Sequence, residues 1–241
     1  MRPYRSELKF LTHFGVREML LRRWGRYLVR APYMNEYGST SILSQYYDSP
    51  DLLFYREKLD GVATRRKVRI RTYGLEFSRG STTFLEIKSR YNDRVQKRRY
   101  RFAEFDPSHL DPTNWAFDDL ETEAGFLFLR DRHRLRPSVQ VYYQREAYQA
   151  VVDREVRVTF DSCLVGLHPG EKLTEHALLD RTRNLLPDTL VIMEIKSTGP
   201  LPPWVHDGII AGELQQKTLS KYVAALDHLG LAEMAKAGGT A

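Results

Sequence analysis

Along much of the chain, apolar and charged residues alternate one for one, the period of a half-buried β-strand. Val68 and Ile70 fall between Lys67, Arg69 and Arg71, Leu85 and Ile87 alternate with Glu86 and Lys88, and Met193 and Ile195 alternate with Glu194 and Lys196. Leu8 and Phe10 stand the same way against Glu7 and Lys9, and Val156, Val158 and Phe160 against Glu155, Arg157, Thr159 and Asp161. One segment is mixed, since Tyr143 and Arg145 share a face with Val141. The pattern predicts strands over 41–48, 65–73, 82–89, 94–102, 139–148, 150–161 and 190–197, with a hairpin turn at Tyr91-Asn92-Asp93.

Fewer segments carry the helical period. Over 12–30, Met19, Leu20, Trp24, Tyr27 and Leu28 recur at three- and four-residue spacings with Arg22, Arg23, Arg26 and Arg30 between them, which predicts an amphipathic surface helix. A short helix is expected to start at Ser49-Pro50-Asp51 and to run through Tyr55 to Leu59, where Gly61 ends it. Others are expected over 118–133 and 218–229. Residues 106–114 read as a loop, and Pro200, Pro202 and Pro203 break the chain after the last strand. No linker or internal repeat interrupts the sequence, so it reads as one α+β domain over 1–241 with a disordered tail from about 234.

The 241 residues are 42% hydrophobic, 28% charged and 12% aromatic, enough apolar material for a core and too little polar bias for disorder. No run approaches the roughly 18 to 20 apolar residues of a membrane span, and MRPYRSELKF has no apolar signal core, so the expected location is cytoplasmic. The single cysteine, Cys163, excludes an intrachain disulfide and a thiolate zinc site. The seven histidines show no ligand spacing, and no Gly-rich phosphate loop is present. The net charge of +6 comes from 27 arginines and 10 lysines against 31 acidic residues. Guanidinium is always charged and grips phosphate through two parallel hydrogen bonds, so this balance suits a phosphate partner.

The strand faces sharpen that reading. An ordinary exposed face mixes Thr, Ser and Gln with its charges, whereas these faces are mostly cation plus carboxylate at two-residue spacing. If the sheet closes with its apolar faces under the helices, the charges line a positive tunnel, costly to keep empty and suited to a long polyanion. Carboxylates among so many cations would repel phosphate unless a divalent metal bridged them.

With these features, the chain resembles the triphosphate tunnel metalloenzymes (CYTH-like), and within them the VTC-type polyphosphate polymerase domain. The segments that carry the resemblance are RSELKF at 5–10, YYDSPD at 46–51, YREKLDG at 55–61, KVRIRTY at 67–73, LEIKS at 85–89 and KRR at 97–99. They continue with YYQREAY at 142–148, RVTFD at 157–161, MEIKS at 193–197 and SKY at 220–222. The resemblance implies an antiparallel eight-stranded β-barrel tunnel with helices packed outside, holding ATP or polyphosphate with Mn²⁺ or Mg²⁺. By position it makes Lys9, Arg69, Arg71, Lys88, Arg145, Arg157 and Lys196 the catalytic phosphate ligands, Tyr143 a donor to phosphate and Glu194 the metal ligand. Lys97 and Lys221 match further basic positions, and Lys67 shares the face of Arg69 and Arg71. Arg5 stands where the triphosphatase branch has the first glutamate of its GluXGluXLys start, which moves weight towards the polymerase branch. Glu7, Glu86, Asp161 and Lys217 are left without a role.

The expected activity is transfer of the γ-phosphoryl group of ATP to a phosphate or polyphosphate end, with release of ADP. The alternatives are a metal-dependent triphosphatase or nucleotidase of the same fold and a non-catalytic polyphosphate-binding module. Nucleic acid is not an expected partner, because the tyrosines form no stacking stripe on one strand. A membrane-protein partner on a separate chain is compatible with the resemblance.

Overall fold

A computed structural model of the chain describes residues 5–36, 38–92, 94–118, 120–152 and 155–237. The strands are β1 (Arg5–His13), β2 (Leu28–Arg30), β3 (Thr40–Asp48), β4 (Thr64–Tyr73), β5 (Thr83–Tyr91), β6 (Arg94–Arg101), β7 (Arg136–Ala150), β8 (Arg157–Leu167) and β9 (Leu190–Thr198). The helices are α1 (Phe14–Trp24), α2 (Leu53–Leu59), α3 (Leu120–His133), α4 (Glu175–Leu179), α5 (Pro203–Ala211), α6 (Lys221–His228) and α7 (Leu231–Ala237). The fold is α+β, built on the expected antiparallel path of eight strands, in the order β1-β9-β8-β7-β3-β4-β5-β6, with β2 paired to β7 beside it. Among the described residues, no helix is long and apolar enough to cross a membrane.

The chain divides into two compact units. The first comprises Met1–Ser41, Tyr143–Leu164 and Leu186–Ser220. Its core takes the apolar faces of β1, β8 and β9 (Phe10; Val158, Phe160; Met193, Ile195) and covers them with Leu20 and Trp24 of α1 and Val205 of α5. Trp24 donates to the Trp204 carbonyl at 2.9 Å. Its ring lies so close to Gly208 that a Cβ there would come within 2.3 Å of it, so only glycine lets α1 and α5 approach. The apolar faces thus lie under helices and the charged faces are left for other partners.

The second unit comprises Ile42–Tyr142, Val165–Leu185 and Lys221–Ala241 and follows the same logic. Val68, Ile70, Leu85 and Ile87 of β4 and β5 pack with Phe54 of α2 and Phe126 of α3. Asp48 anchors α2: its carboxylate accepts from the backbone N–H groups of Phe54 and Tyr55, each at 2.9 Å, and from the Tyr222 hydroxyl of α6. Ser49 Oγ accepts from Leu53 N at 2.9 Å, so Asp48 and Ser49 satisfy first-turn donors from outside a helix that begins at Leu53.

Three expectations about elements are corrected and one, the proline break after β9, is extended. The helix over 12–30 is shorter, because Thr12 and His13 pair with Val191 and Leu190, and Leu28–Arg30 pair with β7; backbone pairing overrides the helical spacing at both ends. The strand over 150–161 is in fact the end of β7, a bend and β8, closed by Ala150 N donating to Val156 O at 2.9 Å. Val152 in that bend is 95% exposed, an apolar residue on which strand alternation does not act. The prolines after β9 open α5, with Pro202 at its N-cap and Pro203 in its first turn, where a missing N–H costs nothing. Residues 106–114 form two 3₁₀ turns, with Asp106 and Asp111 accepting from Ser108 N and Thr113 N. Of the expected turn at Tyr91-Asn92-Asp93, Asp93 lies outside the described residues; Tyr91 and Arg94 face each other at the end of the β5–β6 ladder.

Candidate functional site

In the second unit, strand register converts sequence alternation into rows. Lys67, Lys88 and Lys97 stand opposite one another across β4, β5 and β6, and the next row is Arg69, Glu86 and Arg99. Like charges directly opposite each other repel, so a lysine row gains from an anion laid over it. Glu86, its side chain 3% exposed, is the counter-ion within this cluster. Its Oε2 accepts from Arg69 Nε at 2.8 Å and from an Arg69 terminal nitrogen at 2.7 Å, and Arg71 lies 4.0 Å from the same oxygen. Its Oε1 meets Lys97 at 2.8 Å and Arg99 at 3.0 Å. Burial pushes this carboxyl up, but Arg69, Arg71 and Lys97 prevail and hold it well below the usual carboxylate range. Arg69 also donates to the Tyr46 hydroxyl at 3.2 Å, and the Arg99 guanidinium lies 3.8 Å over the Phe84 ring.

Arg71 differs from its neighbours. It is 7% exposed, and its Nε makes no hydrogen bond among the described residues. The Ser44 hydroxyl, on the residue facing it across β3 and β4, is likewise buried and unmatched. Two buried polar atoms on facing residues without hydrogen bonds are expensive, and a phosphate oxygen would satisfy the Arg71 Nε–H.

The first unit holds a more balanced set. Across β1 and β9, Glu7 faces Lys196 and Lys9 faces Glu194; across β9 and β8, Lys196 faces Arg157 and Glu194 faces Thr159. Lys9 pairs with Glu7 at 3.0 Å and Lys196 with Glu194 at 2.9 Å. Burial pushes the Glu194 carboxyl up, but Lys196 and Lys9 outweigh it and hold the group below its ordinary value. The Glu7 carboxyl is within hydrogen-bonding reach of Glu194 and opposes that lowering. Arg145 grips the fully buried Asp161 with both arms, at 2.6 and 2.7 Å, with the Tyr143 ring centroid 5.3 Å from its guanidinium. Arg157 is exposed and donates to the Tyr33 hydroxyl at 3.0 Å.

Of the residues singled out in the sequence, Lys67, Arg69, Arg71, Lys88 and Lys97 share the β4–β6 face of the second unit, and Lys221 opens α6 there. Lys9, Arg157, Glu194 and Lys196 fall in facing register in the first unit, where Tyr143 and Arg145 lie on β7. Four residues without an assigned role join them. Glu86 and Asp161 are the counter-ions of Arg69 and Arg145, and Glu7 approaches Glu194. The Thr159 hydroxyl, on the residue opposite Glu194, is shielded from solvent and makes no hydrogen bond among the described residues. Strand parity already puts Glu86, Asp161, Glu7 and Thr159 on charged faces; only cross-strand register shows whom they meet.

This order of charged strands on an antiparallel sheet can be compared with known proteins. A family model for the VTC domain matches residues 4–229. The chain belongs to the VTC-domain family. Among curated proteins none matches it. Two solved structures are similar to this VTC domain. The "putative adenylate cyclase" of Bacillus halodurans has a TM-score of 0.51 at 11% identity, covering 91% of this chain and 96% of its own. The PH1819 protein of Pyrococcus horikoshii OT3 has a TM-score of 0.46 at 15% identity, covering 93% and 99%. At such identity the Bacillus structure speaks for the fold, and family membership marks the VTC domain as a phosphate-handling protein.

The donor set can be tested against a divalent ion. Among the described residues no three His, Cys, Asp or Glu side chains cluster to hold a metal alone. Glu194 and Glu7 nevertheless bring two carboxylates together beside an unmatched hydroxyl. A Mg²⁺- or Mn²⁺-like ion is commonly held by one or two carboxylates and completed by water and substrate phosphate, so this set fits.

Proposed function

We propose that this VTC domain is a polyphosphate polymerase that transfers the γ-phosphoryl group of ATP to a phosphate or polyphosphate end and releases ADP. The observation that carries the reading is the buried Arg71, its Nε without a hydrogen bond among the described residues, beside a lysine row of which one member, Lys97, shares a single carboxylate with Arg69 and Arg99. Such a surface binds a multiply charged, repeating anion better than a lone phosphate, because each row offers a separate subsite. ATP as donor and a phosphate end as acceptor come from the family resemblance, and Arg5 in place of a first glutamate favours the polymerase over the hydrolase.

Phosphoryl transfer asks little covalent work of a protein; it asks for neutralised charge and for reactants held in line. Arg69, Arg71, Lys88 and Lys97 would hold phosphate oxygens, with Lys67 extending the row. Arg145, kept in one orientation by Asp161, would present its guanidinium without having to be ordered on binding. Lys9, Lys196 and Arg157 would add positive charge, and Lys221 would do so from α6. Glu194 with Glu7 would hold Mn²⁺ or Mg²⁺, which when bound supplies further neutralisation of phosphate charge. No side chain needs to act as general base, because a phosphate end is already an ionised nucleophile.

The test is to incubate purified protein with ATP and Mn²⁺, with and without a short polyphosphate primer, and to resolve products by gel while following ADP and orthophosphate. Long chains with stoichiometric ADP, lost in Arg71→Gln, are expected. Orthophosphate without chains would make the protein a hydrolase, and tight tripolyphosphate binding without turnover would make it a binding module.

A further inference from the structure

Glu86 is an odd residue to find in a site for polyanions. It is almost fully buried, it lies on the charged face of β5 between Arg69 and Arg99, and its negative charge would repel the polyanion that the cations would attract. Its two oxygens divide the neighbours: Oε2 serves Arg69 and Arg71 of β4, and Oε1 serves Lys97 and Arg99 of β6. One way to keep such arginines in place is a neutral partner such as the Tyr46 hydroxyl, which Arg69 also uses. A full negative charge does something more, since it cancels one of four positive charges at the point where a phosphate would lie.

We propose that Glu86 is a positioning residue that sets how tightly the β4–β6 cluster holds phosphate, weakening the grip so that a growing chain can move on. The inference rests on the polyphosphate reading of this cluster. A site through which a chain advances must bind each unit well enough to admit it and weakly enough to release it, as in other sites that pass a row of charges. Four uncompensated cations would fail the second condition. With Glu86 in place the four share one counter-charge, and a passing phosphate competes with a carboxylate already there instead of filling an empty well. Glu86 also pre-orients Arg69, so part of the ordering cost is met before ligand arrives.

A merely structural carboxylate and a grip-limiting one predict opposite signs. Tripolyphosphate binding is measured by calorimetry without metal, alongside the thermal midpoint and ATP turnover. Glu86→Gln should bind tripolyphosphate about tenfold more tightly, the modest end of what one unit charge a few ångströms away supplies in a partly screened site. It should elongate chains more slowly, with both kcat and KM reduced. Unchanged or weaker binding at a wild-type thermal midpoint would overturn the proposal. Should Glu86→Gln not fold alone, the comparison is made in an Arg99→Gln background, where the added Glu86→Gln restores the local net charge. There it should again tighten tripolyphosphate binding about tenfold relative to Arg99→Gln alone, and unchanged or weaker binding would overturn the proposal. Glu86→Asp, which keeps the charge, should stay within about twofold of wild type. Wild-type protein that binds tripolyphosphate but makes no polymer would sink the polymerase reading and leave the binding comparison intact.

Discussion

The two units answer the same problem of charge on a strand face in different ways. Around β1, β8 and β9 three cations have a carboxylate of their own nearby: Lys9 with Glu7, Lys196 with Glu194, Arg145 on β7 with Asp161. On β4–β6 one carboxylate serves Arg69, Arg71, Lys97 and Arg99, and Lys67 and Lys88 stand in register beside them. The first arrangement is near neutrality by itself. The second shares a single carboxylate among four cations. Identical residue types thus have different jobs according to whether the protein supplies the counter-ion.

The sharpest way to break this comparison is to remove one arginine from each region. Arg145→Gln should destabilise the protein by about 3–5 kcal/mol, because Asp161 is left buried and charged without its bidentate partner. In a chain of this size that lowers the thermal midpoint by roughly 10 °C. Arg71→Gln should leave the midpoint within a few degrees, since its Nε makes no hydrogen bond to lose, while reducing polymer synthesis about 100- to 1,000-fold. Equal loss of stability in both variants would erase the distinction. Packing gives a control that touches no charge: Gly208→Ala pushes a methyl into the Trp24 ring and should cost about 1–3 kcal/mol in thermal denaturation.

Acid should separate the regions on a smaller scale. Glu86 sits below its ordinary value in the folded protein because the attraction of Arg69, Arg71 and Lys97 exceeds the upward push of burial. Its stabilising contribution is therefore complete above the unfolded-state value near pH 4 to 4.5 and fades as pH falls towards the depressed folded value. Between pH 5 and 3 the wild-type thermal midpoint should fall more steeply than that of Glu86→Gln. Parallel curves would show that the carboxylate is not held by its cations.

Much of this was legible in strand parity. Alternation at 67–71, 85–88 and 193–196 assigned Val68, Ile70, Leu85, Ile87, Met193 and Ile195 to one face and the charges between them to the other, and the structure buries those apolar faces under α1, α2, α3 and α5. Parity cannot give register, so the lysine row and the four partners of Glu86 were invisible until strands were paired. It also fails where burial does not enforce it. Val151 and Val152 look like strand residues yet sit in a bend, and Thr12 has helical neighbours but pairs with Val191. The prolines at 202 and 203 show a further limit, since the same residue that ends a strand can open a helix, and only the following Trp204 and Val205, packed on Trp24, decide which. Candidate site residues can be proposed by position within a family pattern, whereas their counter-ions depend on distances between strands.

The smallest effect tests the comparison at its edge. Arg157 has no carboxylate of its own among its described hydrogen bonds and donates to Tyr33, so it resembles the β4–β6 cations while standing in the balanced unit. It is also exposed, and water screens an exposed charge far more than a buried one. Arg157→Gln should therefore change stability by less than about 0.5 kcal/mol and weaken tripolyphosphate binding by roughly threefold at low salt. At about 0.5 M salt the difference should vanish, because the Debye length shrinks to a few ångströms. Calorimetric titrations at the two salt concentrations decide the matter. A tenfold loss that survives high salt would mean that Arg157 makes a direct, desolvated contact with phosphate, and the balanced unit would then have to be read as gripping the anion itself.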